Sequence, residues 1–143
     1  MYEKSIKFRL EKKFFNKASY LDNLNIYSWL EIARKHFLIS VGIDIDSLEN
    51  YGFYYADAET RVSIKENIRY SPKEVRVYVG LLKHSGVKST FTYEICIDDV
   101  IIITAKSTHN VLRADSDRAV RIDRYLPKWD QILKDVVNNE IAN

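Results

Sequence analysis

Between Asn23 and Val41 the chain carries an apolar stripe that only a helix can line up: Ile26, Leu30, Ala33, Phe37 and Val41 recur at spacings of three and four. Leu24, Trp29, Ile32, Leu38 and Ile39 add apolar surface on the other sides. A helix apolar over most of its circumference is expected to be buried rather than to lie on a surface. Asp22 or Asn23 can cap its first turn, and Gly42 can take the left-handed conformation that ends it.

Most of the remaining chain reads as strands. Ile6, Phe8 and Leu10 alternate with polar residues, as do Val62, Ile64 and, less strictly, Ile68. Val75, Val77, Val79 and Leu81 keep a period of two, and so do Phe91, Tyr93, Ile95 and Ile97. Ser71-Pro72 and His84-Ser85-Gly86 are turn signals between these runs, and Asp98-Asp99 turns the chain into Val100–Ala105, a run that continues towards Leu112. Pro127 then opens a second helix expected to reach Ile141, with Trp129, Ile132, Leu133 and Val136 at helical spacing. Consecutive strands without intervening helices predict an antiparallel sheet, so the fold class is α+β, with the sheet curving around the long helix. No linker or repeat interrupts the chain, and one domain over 1–143 is expected.

Composition narrows the function classes. The 143 residues carry a net charge of only +2, from 22 Lys and Arg against 20 Asp and Glu, spread along the chain. That balance gives no electrostatic case for nucleic acid. The longest apolar run, Val100–Ile103, is too short to cross a bilayer, and the N-terminus shows no secretory pattern. Cys96 is the only cysteine, which fits a reducing, cytoplasmic setting, and it is expected to face the interior as a small hydrophobe. His36, His84 and His109 have no metal-site spacing, there is no Gly-rich phosphate loop or G-x-S-x-G elbow, and no metal or cofactor is expected.

The helix segment Tyr27-Ser28-Trp29-Leu30-Glu31-Ile32-Ala33-Arg34-Lys35-His36-Phe37-Leu38 resembles the "YLRYFEEARxxFL" helix of hot-dog-fold acyl thioesterases, the 4-hydroxybenzoyl-CoA thioesterase-like proteins. Glu31, Ala33, Arg34, Phe37 and Leu38 match. Ala105–Val111 is similar to that family's last strand, and Arg121–Pro127 to the stretch before its terminal helix. The family's catalytic loop, D-x-x-G-H-V-N/Y-x-x-x-Y, falls on Phe15–Asn23, with Asn16 at the aspartate, Ser19 at the glycine and Tyr20 at the histidine. An amide is neither a nucleophile nor a base in the ordinary sense. The thioesterases of enediyne polyketide pathways are similar in carrying asparagine there and in relying on an arginine at the position of Arg34.

The resemblance implies a hot-dog fold and hydrolysis of an acyl thioester on an acyl carrier protein or coenzyme A, in polyketide or fatty-acid metabolism. Asn16 would position the carbonyl or the water, or else merely stabilise a turn. The helix N-terminus, with the Asn23 N–H, and Arg34 would hold the oxyanion. Glu31 would act as base, or else pair with Arg34 three residues on, while Lys35 is an i+4 partner for Glu31. Tyr20 and Asp22 would contact substrate, although Tyr20 can equally be core and Asp22 a simple cap. Tyr51, Phe53, Tyr54 and Tyr55 are read as core, interface or acyl channel. The resemblance also implies a homodimer or homotetramer, and a sheet around one helix independently leaves edges to be covered. From another class, a non-catalytic acyl-binding protein on the same scaffold fits the loss of the aspartate.

Overall fold

A computed structural model of the chain describes residues 1–139. Five antiparallel strands form one sheet in the order β1-β3-β4-β5-β2: β1 Glu3–Arg9, β2 Phe53–Ile64, β3 Glu74–His84, β4 Lys88–Ile97 and β5 Val100–Arg113. Helix α1, Leu24–Ser40, lies across one face of this sheet, and a short turn of helix, α2 (Ile122–Tyr125), leads into α3, Pro127–Val137. The expected end of the last helix at Ile141 lies outside the described residues.

The period-two residues of β3 and β4 are the core. Val75, Val77, Val79, Leu81, Phe91, Tyr93 and Ile95 are all buried, and they meet Ile26, Trp29, Leu30, Ala33 and Phe37 of α1. Phe37 is fully buried and stands edge-on to both Tyr2 and Phe91, while Trp29 stacks on Phe8 of β1. Gly42, at φ 94°, closes α1 as the sequence predicts. Asp98 and Asp99, at φ 52° and 62°, form the tight β4–β5 turn.

Three expectations change. The helix is covered on one side only, for Leu24, Tyr27, Ile32 and Ile39 are exposed on the other. Its apolar character all round therefore reflects a sheet on one face and an apolar outer face on the other. Cys96 is buried, but it sits on the opposite face of the sheet from α1, in a crevice with Lys7, Arg76 and Asp98. Its place follows from the alternation of β4, in which Tyr93 and Ile95 point to the helix, while the pairing with β5 leaves Ile102 unmatched opposite this point. Lastly, β2 begins at Phe53, so Phe53, Tyr54 and Tyr55 belong to a strand.

β2 holds the feature on which the site depends. It pairs with β5 as Asp57↔His109 and then Glu59↔Thr108, leaving Ala58 unmatched. That bulge resets the alternation, so Tyr55 and Asp57 before it and Thr60 and Val62 after it share the helix-facing side. Opposite them on β5 lie Val111, His109, Ser107 and Ala105. Among the described residues β2 is also a sheet edge, paired on one side only.

Candidate active site

The inward positions of β5 read Ile103, Ala105, Ser107, His109, Val111. An apolar strand face would continue with hydrophobes, but here two polar side chains are buried side by side, Ser107 at 1% exposure and His109 at 0%. Burying polar groups is unfavourable unless they bond to one another. They do. His109 Nε2 lies 2.6 Å from Ser107 Oγ, and Ser107 Oγ lies 2.5 Å from the Tyr93 hydroxyl on β4. Tyr93 in turn accepts a hydrogen bond from Arg34 Nη1 at 3.1 Å. At the other end His109 Nδ1 is 2.8 Å from Asp57 Oδ1, off the straight line of an ideal hydrogen bond, and Arg34 Nη2 is 3.6 Å from the same oxygen. Five residues from α1, β2, β4 and β5 thus make one closed polar ring.

Packing decides the charge states in the ring. Burial pushes the His109 imidazole down to about 4, the Arg34 guanidinium adds to that, and Asp57 opposes it without prevailing. The imidazole is therefore neutral near pH 7. Tyr55 lies flat against it, ring centres 5.1 Å apart at 13°, and Phe91 meets it edge-on. Burial also raises the Tyr93 phenol, although Arg34 and Ser107 pull the other way. Arg34 is 6% exposed, and its Nε has no acceptor among the described residues.

Arg34 and Asp57 open onto a cavity of about 630 Å³ walled also by Phe53, Tyr54, Tyr55, Ile45 and Ala114. Four carboxylates (Glu31, Asp46, Glu49, Asp57) face two cations (Arg34, Lys35) there. Glu31 does not pair with Arg34. It is exposed and lies 3.8 Å from Lys35, its i+4 partner, which also reaches Asp46 at 3.4 Å. Arg34 instead turns inward to Asp57 and Tyr93, because the helix rotation that faces it to the sheet leaves Glu31 at the rim.

The remaining expected residues sit at the other end of α1. Asn16 Oδ1 accepts from the backbone N–H of Ala18 and of Tyr20, both at 3.0 Å, and closes a turn in which Ser19 takes φ 65°. Asp22 Oδ1 accepts from Leu24 N at 3.1 Å, so Asp22 caps the helix, while Asn23 makes no side-chain cap. The Tyr20 hydroxyl accepts from Arg69 Nη2, whose guanidinium also covers the ring at 4.5 Å. Ten residues of helix separate Leu24 from Arg34, about 15 Å at the usual rise. Within one chain, then, the Asn16 loop and the Arg34 ring do not meet. Among the described residues no cluster of His, Cys, Asp and Glu could hold a metal ion, and no helix is long and apolar enough to cross a membrane.

Sequence reasoning missed Asp57, Tyr93, Ser107 and His109 as members of this ring. The available signal was the polar pair Ser107-x-His109 at positions where the strand's alternation calls for hydrophobes.

No family model matches the chain, and no curated protein matches it by sequence. Solved structures do. A DHNA-CoA thioesterase from Staphylococcus aureus superposes with a TM-score of 0.90 at 24% identity, over 100% of this chain and 97% of that one. A 1,4-dihydroxy-2-naphthoyl-CoA thioesterase from Synechocystis gives 0.81 at 10% identity, over 99% of both chains. A 4-hydroxybenzoyl-CoA thioesterase mutant in complex with 4-hydroxybenzoyl-CoA gives 0.77 at 12% identity, over 90% of this chain and 98% of that one. At these identities the likeness is one of fold, and the chain takes the hot-dog fold that these acyl-CoA thioesterases share.

Proposed function

We propose that the protein hydrolyses an acyl thioester, with coenzyme A as the carrier its structural neighbours favour and an acyl carrier protein as the other candidate. The observation that carries this reading is Arg34. A guanidinium this deeply buried, fixed by Tyr93 and Asp57 at the wall of a cavity, is a positioned donor for charge that develops there. Attack of water on a thioester carbonyl creates an oxyanion, and a donor fixed in a dry site stabilises that charge most as it develops. The tetrahedral intermediate then collapses with cleavage of the C–S bond, releasing acid and thiol. The acidic balance of the cavity disfavours the phosphates of a nucleotide, so the acyl group belongs in it, against Phe53, Tyr54 and Tyr55.

A role for the Asn16 loop in this site requires a second copy. The Ile64 end of β2 borders the N-terminal end of α1, near Tyr20, Asn23 and Ile26, whereas the Phe53 end borders the Arg34 cavity. Antiparallel pairing of the open β2 edge with the same edge of another copy sets one chain's Ile64 end beside the other's Phe53 end. The Asn16 loop and helix N-terminus of one chain then face the Arg34 cavity of the other, and the residues that the single chain keeps apart come together.

One observation favours the non-catalytic reading. The Asn16 amide oxygen is consumed by its own turn and Tyr20 is closed off by Arg69, so this loop offers little to a substrate. Thiol release from a panel of aromatic and aliphatic acyl-CoA and acyl-carrier-protein thioesters tests the choice. Turnover on at least one of them is expected. Saturable binding of acyl-CoA without thiol release would establish the acyl-binding protein instead. Light scattering should give a mass at least twice the 16.8 kDa chain. A monomer at micromolar concentration would remove the shared site.

A further inference from the structure

We propose that Asp57 is the general base of this site, held on its edge strand by close contact with His109, the end of a one-way chain of hydrogen bonds that begins at Arg34. The inference rests on the thioesterase reading above. Hydrolysis needs a group that takes a proton from water, and the Asn16 amide cannot do so. Of the carboxylates facing the cavity, Glu31 and Asp46 share Lys35. Glu49 has no side-chain bond among the described residues. Asp57 alone is backed by buried groups, and both of them, His109 Nδ1 at 2.8 Å and Arg34 Nη2 at 3.6 Å, approach Oδ1. Oδ2 has no bonded partner among the described residues, on a side chain 64% exposed in the single chain.

The direction of the chain follows from its ends. Arg34 can only donate and an ionised Asp57 can only accept. Tyr93 Oη accepts from Arg34, so its own proton goes to Ser107 Oγ. Ser107 then donates to His109 Nε2, which leaves the imidazole proton on Nδ1, facing Asp57. Reversing any link would strand the tyrosine proton and turn a lone pair of His109 on the carboxylate. His109 is thus fixed in one tautomer and acts as a positioning residue, with Ser107 and Tyr93 behind it.

In the reaction Asp57 Oδ2 takes a proton from water as the water oxygen bonds to the thioester carbon. The electron pair of the carbonyl moves to its oxygen, next to Arg34. As the carbonyl re-forms and the C–S bond breaks, the proton on Asp57 passes to the departing sulfur. The carboxylate is restored, and one thioester and one water become one acid and one thiol.

Asp57→Asn preserves shape and should lower kcat by about 10²–10⁴, the usual worth of a general base, with KM little changed. His109→Asn retains an N–H near the place of Nδ1 and should keep kcat within about tenfold, whereas His109→Leu should lose nearly as much as Asp57→Asn. Circular dichroism melts of each variant identify any loss that comes from unfolding, and in that case Asp57→Asn, at an exposed carboxylate, decides. The proposal is overturned if folded Asp57→Asn stays within about threefold of wild-type kcat, or if Glu31→Gln alone abolishes turnover. In either of those results the wild type still hydrolyses thioesters, so the functional reading stands. A wild type that releases no thiol from any substrate overturns both.

Discussion

Tyr55 and His109 lie face to face across the β2–β5 ladder, 5.1 Å apart and within 13° of parallel, and the tyrosine ring seals the imidazole from water. The imidazole is thereby kept neutral in the folded chain, down to about pH 4. In the unfolded chain it titrates near its ordinary value of about 6.5.

This difference predicts acid sensitivity with a definite sign. Between about pH 6.5 and 4 the unfolded chain binds a proton that the folded chain refuses, so stability falls as pH falls through that window. The groups facing His109 (Asp57, Arg34, Ser107, Tyr55 and Phe91) set the extent, and the loss should be at most about 3 kcal/mol. Urea melts at pH 7 and pH 4.5 should show it in the wild type and a smaller fall in His109→Asn. An equal fall in both would mean that other groups dominate.

On the proposed function, Arg34→Ala should lower kcat by about 10²–10³ and leave KM nearly unchanged, because the donor would act on charge that exists only in the transition state. Arg34→Lys should not restore the rate, since an ammonium cannot reach Tyr93, Asp57 and an oxyanion together. Steady-state kinetics on the best substrate, beside a thermal melt, check both. Wild-type rates in folded Arg34→Ala would remove Arg34 from the chemistry.

Asn16→Asp is a clean probe of the loop, because a carboxylate can still accept from the N–H groups of Ala18 and Tyr20. It should fold with unchanged stability, whereas Asn16→Ala should lose about 1–2 kcal/mol with those bonds. Lower activity in Asn16→Asp would show that the amide touches the developing oxyanion. Equal or higher activity would show that the loop can still host a base. Paired activity and melting measurements separate these results.

A second buried histidine holds α3 to the sheet. His84 Nε2 lies 2.7 Å from Asp130 Oδ1 and its Nδ1 lies 2.8 Å from Ser89 Oγ, while Lys134 reaches the other Asp130 oxygen at 2.8 Å. Burial works against the Asp130 charge, but the bonds to Lys134 and His84 outweigh it and hold the carboxyl below its usual range. Its stabilisation is therefore present at neutral pH and lost as pH falls below about 4. Asp130→Ala should cost about 2 kcal/mol at pH 7 and much less at pH 3. Hydrogen exchange should quicken first in α3. An unchanged melting temperature would show that α3 is held by Leu133 and Val136 alone.

Much of this fold was legible in the residues. Ile26, Leu30, Ala33 and Phe37 announce a helix, and the alternation of Val75–Leu81 and Phe91–Ile97 announces strands, because burial on one face imposes those periods. The start of β2 was not legible: Tyr54-Tyr55-Ala56-Asp57-Ala58 places aromatic residues on both faces and changes parity in the middle. In the candidate site, Arg34 was singled out by the resemblance of its helix to that of the thioesterases. Its partners could not be, because Asp57, Tyr93, Ser107 and His109 lie on three strands and become neighbours only through pairing between segments distant in the chain.

The unmatched Ala58 has a consequence for how this chain can vary. Substitutions along β2 change one side chain at a time and leave the rest in place. Removing Ala58, or inserting a residue beside it, would shift parity for half the strand, exchanging either Tyr55 and Asp57 or Thr60 and Val62 with their outward neighbours. Descendants of this sequence can therefore drift in composition along β2, but they inherit its length as a fixed quantity.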